Sequence, residues 1–213
     1  MAGKMVAAVA ILLSLLTAAE RAEARVTKGR INKTGQNVDF GPGSDGDLQR
    51  GLSRIFNDLG NGVVKDARTG LFWEKKSDDG SIHDKDNTYT WGQVVVPFSM
   101  NGSMVKTFLE ALNTPPCHGG YCDWRVPNMN ELLSIVNWNG SGPVAFPEFN
   151  TNCTAGCSVT ACSCTGSGGF PYWSSSTRPG VPDFAYFVGF GTGSVGSNGK
   201  ETPSFVRAVR GGP

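Results

Sequence analysis

Six cysteines carry the most evident chemistry of the sequence: Cys117, Cys122, Cys153, Cys157, Cys162 and Cys164. An even number of thiols is typical of disulfide bonding in exported proteins. We predict that the first two form one bridge and that the middle two pair with the last two. The alternative for the last four thiols is a zinc site, since structural zinc is often held by four cysteines. Their irregular spacing favours disulfides.

Residues suited to acid–base or nucleophilic catalysis are few. His83 and His118 are the two histidines, and neither lies in a motif with an evident nucleophile. The serines at 174–176 follow Trp173 and lack the Gly-x-Ser-x-Gly elbow of α/β-hydrolases. We therefore expect no enzymatic activity and predict no catalytic residue.

Calcium is the one metal that the sequence brings into question, because oxygen-bearing side chains are concentrated in its middle. They are Asp123, Asn128, Asn130, Glu131, Asn137 and Asn139. Calcium takes about 6–8 oxygen ligands, yet no Glu-Pro-Asn or Gln-Pro-Asp pattern of calcium-dependent sugar binding is present. We predict no metal ligand and no cofactor, with calcium binding as the alternative.

The N-terminus has the features of an export signal. Lys4 precedes an apolar run at 6–16, and residues 22–24 form an Ala-Glu-Ala cleavage site. The run is shorter than the roughly 20 residues that span a bilayer, although an uncleaved anchor is the alternative. We predict a signal peptide at 1–24, an extended lead-in segment at 25–54 and one domain at 55–213. The mature protein is expected in the periplasm, at the cell surface or outside the cell, without a transmembrane segment.

Composition narrows the class of partner. The formal net charge of +1 argues against broad binding to nucleic acid or anionic membranes. Twelve Phe and five Trp supply a hydrophobic core, and 29 Gly indicate many turns and irregular loops. The sequence therefore predicts a loop-rich exported domain.

Short elements must position these residues. Apolar runs at 63–64 and 71–73 flank a turn that ends at Gly70, which predicts a β-hairpin. Ser103 is a candidate N-cap for a helix with apolar positions through Leu112, ended by two prolines.

A second helix and three strands follow. Asn128 as N-cap and Glu131 at N3 form a capping-box pattern. The predicted strands lie at 170–176, 184–190 and 205–209. We expect a hairpin loop at 191–199.

Several short motifs, in order along the chain, carry a family resemblance. They are Thr-Gly-Leu-Phe-Trp at 69–73, Thr-Trp at 90–91, Gly-Gly-Tyr at 119–121, Asp-Trp-Arg-Val-Pro-Asn at 123–128, Glu-Leu at 131–132, Tyr-Trp-Ser-Ser at 172–175 and Val-Arg-Ala-Val-Arg-Gly-Gly at 206–212. Together they resemble the Lcl C-terminal domain family, the domain at the end of a collagen-like bacterial adhesin.

The resemblance implies an α+β protein with a C-type lectin-like fold, in which two helices flank small antiparallel sheets and long disulfide-stapled loops. It also implies adhesion through binding of sulfated or acidic glycans. The sequence has no collagen-like Gly-x-y stalk. Trimerisation through a stalk is therefore not expected.

The motif residues are expected to have structural roles. Trp73, Trp91, Trp124 and Trp173 are predicted core anchors, with sugar stacking as the alternative. Arg125, before Pro127, is expected to pair with Asp123 or Glu131. Arg207 and Arg210 have two alternatives, either a buried guanidinium bonded to carbonyls or carboxylates, or a cation that faces a glycan.

These features predict an exported, non-enzymatic binding protein whose partner is a glycan or a surface protein. The ligand surface is expected in the loops at 75–87, 139–169, 177–183 and 191–200. We predict four contact residues: Tyr172, Arg178, Asp183 and Lys200. The alternative is a structural subunit of a surface layer, appendage or matrix, which would form a homo-oligomer or other surface assembly.

Overall fold

Two small β-sheets form the framework, and the computed structural model describes residues 31–93, 96 and 98–212. The first sheet is antiparallel, in the order β1 (Phe56–Asp58), β2 (Val63–Asp66), β3 (Leu71–Glu74), β9 (Val209–Gly211). The second has the order β4 (Thr88–Tyr89), β8 (Ser204–Phe205), β5 (Tyr172–Thr177), β6 (Phe184–Gly189), β7 (Ser194–Gly199). Its β5–β8 pair is parallel, so the prediction of antiparallel sheets is wrong at this pair.

The helices are short. The lead-in segment contains α1 (Asp45–Leu48), and a π-helical segment (Met104–Leu109) continues into α2 (Glu110–Asn113). The third helix, α3 (Met129–Leu133), is followed later by a 3₁₀ turn (Pro147–Phe149). The protein is thus a mixed α+β domain, as the sequence predicted. The predicted signal peptide at 1–24 lies outside the described residues, as does 25–30 of the lead-in.

The two predicted helices differ in how well their starts follow the sequence. Asn128 and Glu131 form the predicted capping box of α3, each accepting a hydrogen bond from the other's backbone N–H. Ser103 does not cap its helix, because its Oγ accepts a hydrogen bond from Thr90 N at 2.9 Å instead. The helix still ends at Asn113, before the two prolines.

The C-terminal strands depart from the predicted pattern. Residues 194–199, predicted as loop, form β7 and pair along the whole of β6. The predicted strand at 205–209 is divided between β8 and β9, which belong to different sheets. The chain therefore crosses from one sheet to the other at 206–208, where Arg207 enters the core.

Two apolar clusters fill the interior. The four predicted core tryptophans, Trp73, Trp91, Trp124 and Trp173, are at most 4% exposed. Three of them donate their indole N–H to backbone carbonyls: Trp91 to Ser174 O, Trp124 to His118 O, and Trp173 to Tyr89 O. They are core anchors and are inaccessible for sugar stacking.

Three disulfides pin the long loops, and their pairing agrees with the prediction. The bridges are Cys117–Cys122, Cys153–Cys164 and Cys157–Cys162. The first closes a loop in which Gly119 has φ +60° and lies against Val63, where a Cβ atom would come within 2.4 Å of Cγ2. Glycine is therefore required at this position.

The lead-in is bonded to the rest of the chain. Trp138 N donates to Thr34 O at 3.1 Å, whereas the bond from Lys33 N to Leu52 O, at 2.9 Å, joins two parts of the lead-in itself. The side-chain oxygen of Asn139 accepts hydrogen bonds from the backbone of residues 37 and 38. The lead-in thus lies along the segment that follows α3, and it is partly helical where an extended segment was predicted.

Arg207 has the largest of the fully buried charged side chains in the described part of the chain, and its hydrogen bonds join three parts of the chain. It is 1% exposed, and its Nη1 donates to Glu74 O at 2.9 Å. Its Nη2 donates to Cys164 O at 2.6 Å and to Thr165 Oγ1 at 3.0 Å. Of its two predicted alternatives, the buried guanidinium bonded to carbonyls is correct.

We expect Arg207→Lys to lower the free energy of unfolding by about 3 kcal/mol, because an ammonium cannot reproduce the planar set of bonds and leaves buried carbonyls unpaired. Urea denaturation measures the change. The control is Arg178→Lys, at an exposed position. Equal stability of the Arg207→Lys variant and the wild type would contradict the assigned role.

Candidate functional site

A cationic groove with a volume of about 760 Å³ opens on the surface of the described part of the chain. It lies between the lead-in, the β2–β3 turn, α3 and the end of β9. Its lining residues are Asn32, Arg54, Arg68, Thr69, Gly70, Leu71, Asn130, Glu131, Ser134 and Gly212. Apart from Leu71, which is buried, most of these side chains are polar.

Arg54 supplies a guanidinium whose bonding is incomplete. Its side chain is 13% exposed, and its Nε and Nη1 have no hydrogen-bond partner. The nearest carboxylate, Asp66 Oδ2, is 4.0 Å from Nη1, which is beyond a hydrogen bond. Burial lowers the pKa of Arg54, and Asp66 partly offsets that effect.

Arg68 supplies the second cation and is exposed. Its Nε donates to Ser53 O at 3.2 Å, and among the described residues it forms no ion pair. Its backbone is held by Asp66, whose carboxylate accepts hydrogen bonds from the N–H groups of Arg68 and Thr69 and from Thr69 Oγ1. Asp66 is buried and therefore fixes the turn that presents Arg68.

The carboxylate of Glu131 is already neutralised. Both of its oxygens accept hydrogen bonds from Arg125, at 2.8 and 2.7 Å, and one also accepts from Asn128 N. Burial raises the pKa of Glu131, but the bonds from Arg125 and Asn128 outweigh this and lower it. The predicted pairing of Arg125 with Glu131 is present, and the pair leaves the charge of the groove to Arg54 and Arg68.

Ser134 adds an unpaired hydroxyl. The residue is 8% exposed, and its Oγ has no hydrogen-bond partner. Buried polar groups without a partner are rare and point to an unseen water, ion or ligand group. The groove therefore combines free donors on Arg54 and Ser134 with the exposed guanidinium of Arg68. Such a set of groups can hold an anion together with neighbouring hydroxyls.

The four predicted contact residues do not gather in this groove. Tyr172 is fully buried and accepts a hydrogen bond from Gly166 N, so no surface ligand reaches it. Lys200 is 1% exposed, because its ammonium lies 3.8 Å from the ring centroid of Trp91 and donates to Phe98 O. Arg178 is exposed and contacts Ser197, and the backbone of Asp183 bonds to Lys200.

Sequence reasoning missed Arg54 and Arg68. Arg68 had one available signal, since it lies inside the predicted hairpin turn, where a side chain is displayed on the surface. No local sequence pattern predicts that Arg54 lines the groove, where the nearest carboxylate to it is that of the buried Asp66.

Arg210, the remaining arginine of the sequence motifs, bonds to Asp123 and stacks on Tyr121, with its guanidinium carbon 4.1 Å from the ring centroid.

Five of the six oxygen-bearing side chains considered for calcium have partners among the described residues, Asn130 being the exception. Asp123 binds Arg210, Asn128 caps α3, and Asn139 holds the lead-in backbone. Three other carboxylates, of Asp78, Asp84 and Asp86, offer oxygens within 4.8 Å of one another. Lys85 donates to the first and third of them, and backbone N–H groups of 80 and 86 donate to the second.

A second concentration of charge lies in the core around Glu74. Its Oε1 contacts Lys76 Nζ at 3.4 Å and His83 Nδ1 at 2.8 Å, and its Oε2 accepts a hydrogen bond from Ala208 N. The His83 ring lies 4.2 Å from that of His118, which bonds to Gly62 O. These side chains are bonded to one another and to the backbone, and they do not open onto the groove.

The geometry defines a small disulfide-bonded α+β domain with a cationic groove. A family model described as the Lcl C-terminal domain matches residues 62–210, so the chain belongs to the Lcl C-terminal domain family. Membership of this family indicates a surface-associated domain. No curated protein shows significant similarity to the chain. Within the described residues, no helix has the length and apolar character needed to cross a membrane.

The half-buried His118 predicts that the stability of the protein depends on pH. Burial lowers the pKa of His118, and His83 lowers it further. For Glu74, burial raises the pKa, but Lys76 and His83 lower it to about 2. Both groups bind protons more readily in the unfolded chain, so stability falls as pH falls, first below the unfolded histidine value of about 6.5 and then below that of the carboxylate.

We expect His118→Gln to flatten the change in unfolding free energy between about pH 7 and about pH 5, because glutamine does not titrate but can still donate to Gly62 O. Urea denaturation at several pH values measures the slope. The steep loss at lower pH, where Glu74 is protonated, should remain. An unchanged slope above pH 5 would show that His118 does not contribute.

Proposed function

We propose that this protein is an exported, non-enzymatic adhesion domain that binds acidic glycans in the Arg54–Arg68 groove. The observation that carries the proposal is the pair of guanidiniums that line one groove, together with the unpaired buried donors of Arg54 and Ser134. The exposed Arg68 can donate to a sulfate or carboxylate directly, whereas the donors of Arg54 and Ser134 become accessible when these side chains move. Guanidinium is suited to this task because its fork can donate two parallel hydrogen bonds to one anion.

A glycan suits the groove better than a lone anion does. The volume of about 760 Å³ is within the range of small-ligand sites. The exposed Asn130 and the half-buried Asn32 add amides that can donate to and accept from sugar hydroxyls. Leu71 also lines the groove, but it is only 4% exposed. The groove therefore offers charge for an acidic substituent and neutral polar groups for the ring that bears it.

The absence of enzymatic activity is part of the proposal. Among the described residues, both histidines are engaged, His83 with Glu74 and His118 with Gly62 O. Ser174 Oγ donates to Tyr186 O, and Ser176 Oγ accepts from Met129 N. These bonds support structural roles for the residue types that would otherwise supply a nucleophile and its base.

A C-type lectin-like fold and export also belong to the proposal. The fold is supported by two small sheets, by long loops between them, and by the return of β9 to pair with β3 near the start of the domain. Export is supported by three disulfides, which persist in oxidising compartments.

A structural role in a surface assembly is the second candidate, favoured by exposed apolar residues of the lead-in. Ile31 is 82% exposed and Phe40 is 72% exposed. Contact with another copy would remove such side chains from water. Light scattering over a range of protein concentrations tests this role. A stable monomer at high concentration would reject it, whereas assembly that Phe40→Ser abolishes would support it.

We expect Arg68→Gln to weaken binding of a heparin-derived sulfated octasaccharide about tenfold, because one charge-assisted contact is lost. Calorimetric titration at low and physiological ionic strength measures the affinity, and the variant should also show a smaller dependence on salt. Arg68→Lys should be intermediate, because it keeps the charge but loses the fork.

Arg178→Gln is the matched control, since it removes the same charge at an exposed position on the second sheet. It should leave the affinity within about twofold of the wild type, as expected for a distant, screened charge. Equal losses in the two variants would indicate attraction by overall charge alone. A loss confined to Arg178→Gln would transfer the site to the loop at 177–183, one of those that the sequence first indicated.

A further inference from the structure

Trp138 differs from the four core tryptophans in its exposure. It is 42% exposed, whereas the others are at most 4% exposed. It follows α3, in the segment that holds the lead-in. Within the described part of the chain, no hydrogen bond to its indole N–H is present. An exposed indole with a free donor requires an account other than core packing.

Gly193 covers one face of the indole. A Cβ atom at Gly193 would lie 2.6, 3.0 and 3.1 Å from Cζ3, Cη2 and Cε3 of Trp138. A Cβ atom at nearly equal distances from three adjacent ring atoms lies above the face of the ring, not beyond its edge. Gly193 has φ +75°, so both its backbone conformation and this contact favour glycine. One ring face is thus packed flat on backbone.

The backbone of Trp138 is held on three sides. Its own N–H donates to Thr34 O, and the N–H of Asn137 donates to Val144 O. The N–H of Asn139 donates to the side-chain oxygen of Asn137 at 3.1 Å. These bonds keep the indole in a fixed position, and a rigid ring loses little conformational entropy when a ligand packs on it.

We propose that Trp138 is a stacking subsite for a pyranose ring of the same glycan whose acidic group lies in the Arg54–Arg68 groove. This inference rests on the proposed function. A sugar has an apolar C–H face that packs on an indole and hydroxyls that bond to its surroundings. The residues on either side of Gly193, Thr192 and Ser194, are polar and exposed, and Val195 next along the chain is an exposed apolar residue.

A protein partner fits this surface less well. Stable protein interfaces bury about 800 Å² on each partner, around a largely apolar centre. Here the chain next to Gly193 offers one exposed apolar side chain, that of Val195, along with the hydroxyls of Thr192 and Ser194. A single sugar ring matches the size of the indole face, so the chemistry favours a glycan.

The lead-in connects the subsite to the groove. Asn32 lines the groove, and Thr34 O accepts the hydrogen bond from Trp138 N. Two residues of extended chain span about 7 Å. An oligosaccharide that crosses the lead-in can therefore place one unit in the groove and another on Trp138.

Nuclear magnetic resonance of the five indole N–H groups tests the proposal directly. Titration with the heparin-derived octasaccharide should shift the Trp138 signal, which Trp138→Phe identifies by its loss. The signals of Trp91, Trp124 and Trp173 are internal controls, because their N–H groups are bonded in the core. Binding of the octasaccharide without a shift of Trp138 would overturn the proposal and leave the groove intact.

Affinity measurements provide a second test. Trp138→Ala should weaken binding about tenfold, the loss expected when roughly 50 Å² of apolar contact is removed. Its dependence on salt should match the wild type, in contrast to Arg68→Gln. Trp138→Phe should be intermediate. Binding by Trp138→Ala that equals the wild type would reject the subsite, and no binding by the wild type would reject the glycan function together with the subsite.

Gly193→Ala separates the position of the ring from its presence. The added methyl displaces the indole, so binding should weaken although Trp138 remains. Gly180→Ala is the matched control, because Gly180 has φ +76° and open space around its Cα. Thermal unfolding of both variants checks that they fold. Equal affinities in the two glycine variants would contradict the requirement for a positioned ring.

Discussion

The buried carboxylate of Glu74 is the constraint on which the rest of the structure depends. Removing a carboxylate from water costs several kcal/mol unless charges and hydrogen-bond donors surround it. Lys76, His83 and the N–H of Ala208 supply them, and Arg207 bonds to the backbone oxygen of Glu74. Lys76 and His83 come from the charged loop that follows β3, whereas Arg207 and Ala208 come from the crossing between the sheets, and Arg207 also bonds to Cys164 O. Satisfying this one residue therefore fixes the loop, the crossing and the disulfide-bonded segment together.

Strand β3 transmits this constraint to the groove. Glu74 is at one end of the strand, and the turn that carries Arg68 precedes the other end. A second buried carboxylate, Asp66, organises that turn. Since Glu131 is neutralised by Arg125, Arg68 is the exposed cation of the groove, and Arg54 lies largely buried near Asp66. Acidic side chains are thus paired inside the structure while a cationic side chain remains at the surface, although the chain as a whole has a formal net charge of only +1.

Local patterns predicted the elements whose causes are local. The β2–β3 hairpin, the capping box of α3 and the disulfide pairing each depend on residues within a few positions of one another. Strand β7 was missed because Ser194–Gly199 is rich in glycine and small polar residues, which have low strand propensity. It forms because β6 offers a complete pairing edge. The burial of Lys200 was also hidden, because it depends on a contact with Trp91 across 109 residues of sequence.

The candidate site was hidden for the same physical reason. Arg54, Ser134 and Trp138 belong to no short motif. Their surroundings are brought together by a backbone bond within the lead-in, from Lys33 to Leu52, and by one from Trp138 to the lead-in. Asn32, Thr34 and Arg54 precede the part of the chain that matches the Lcl C-terminal domain, whereas Arg68, Ser134 and Trp138 lie within it. The matched domain therefore supplies a rigid frame with one cation and one indole. The lead-in completes the groove with a second cation and fixes the backbone of the indole, so the candidate site is built from residues on both sides of that boundary.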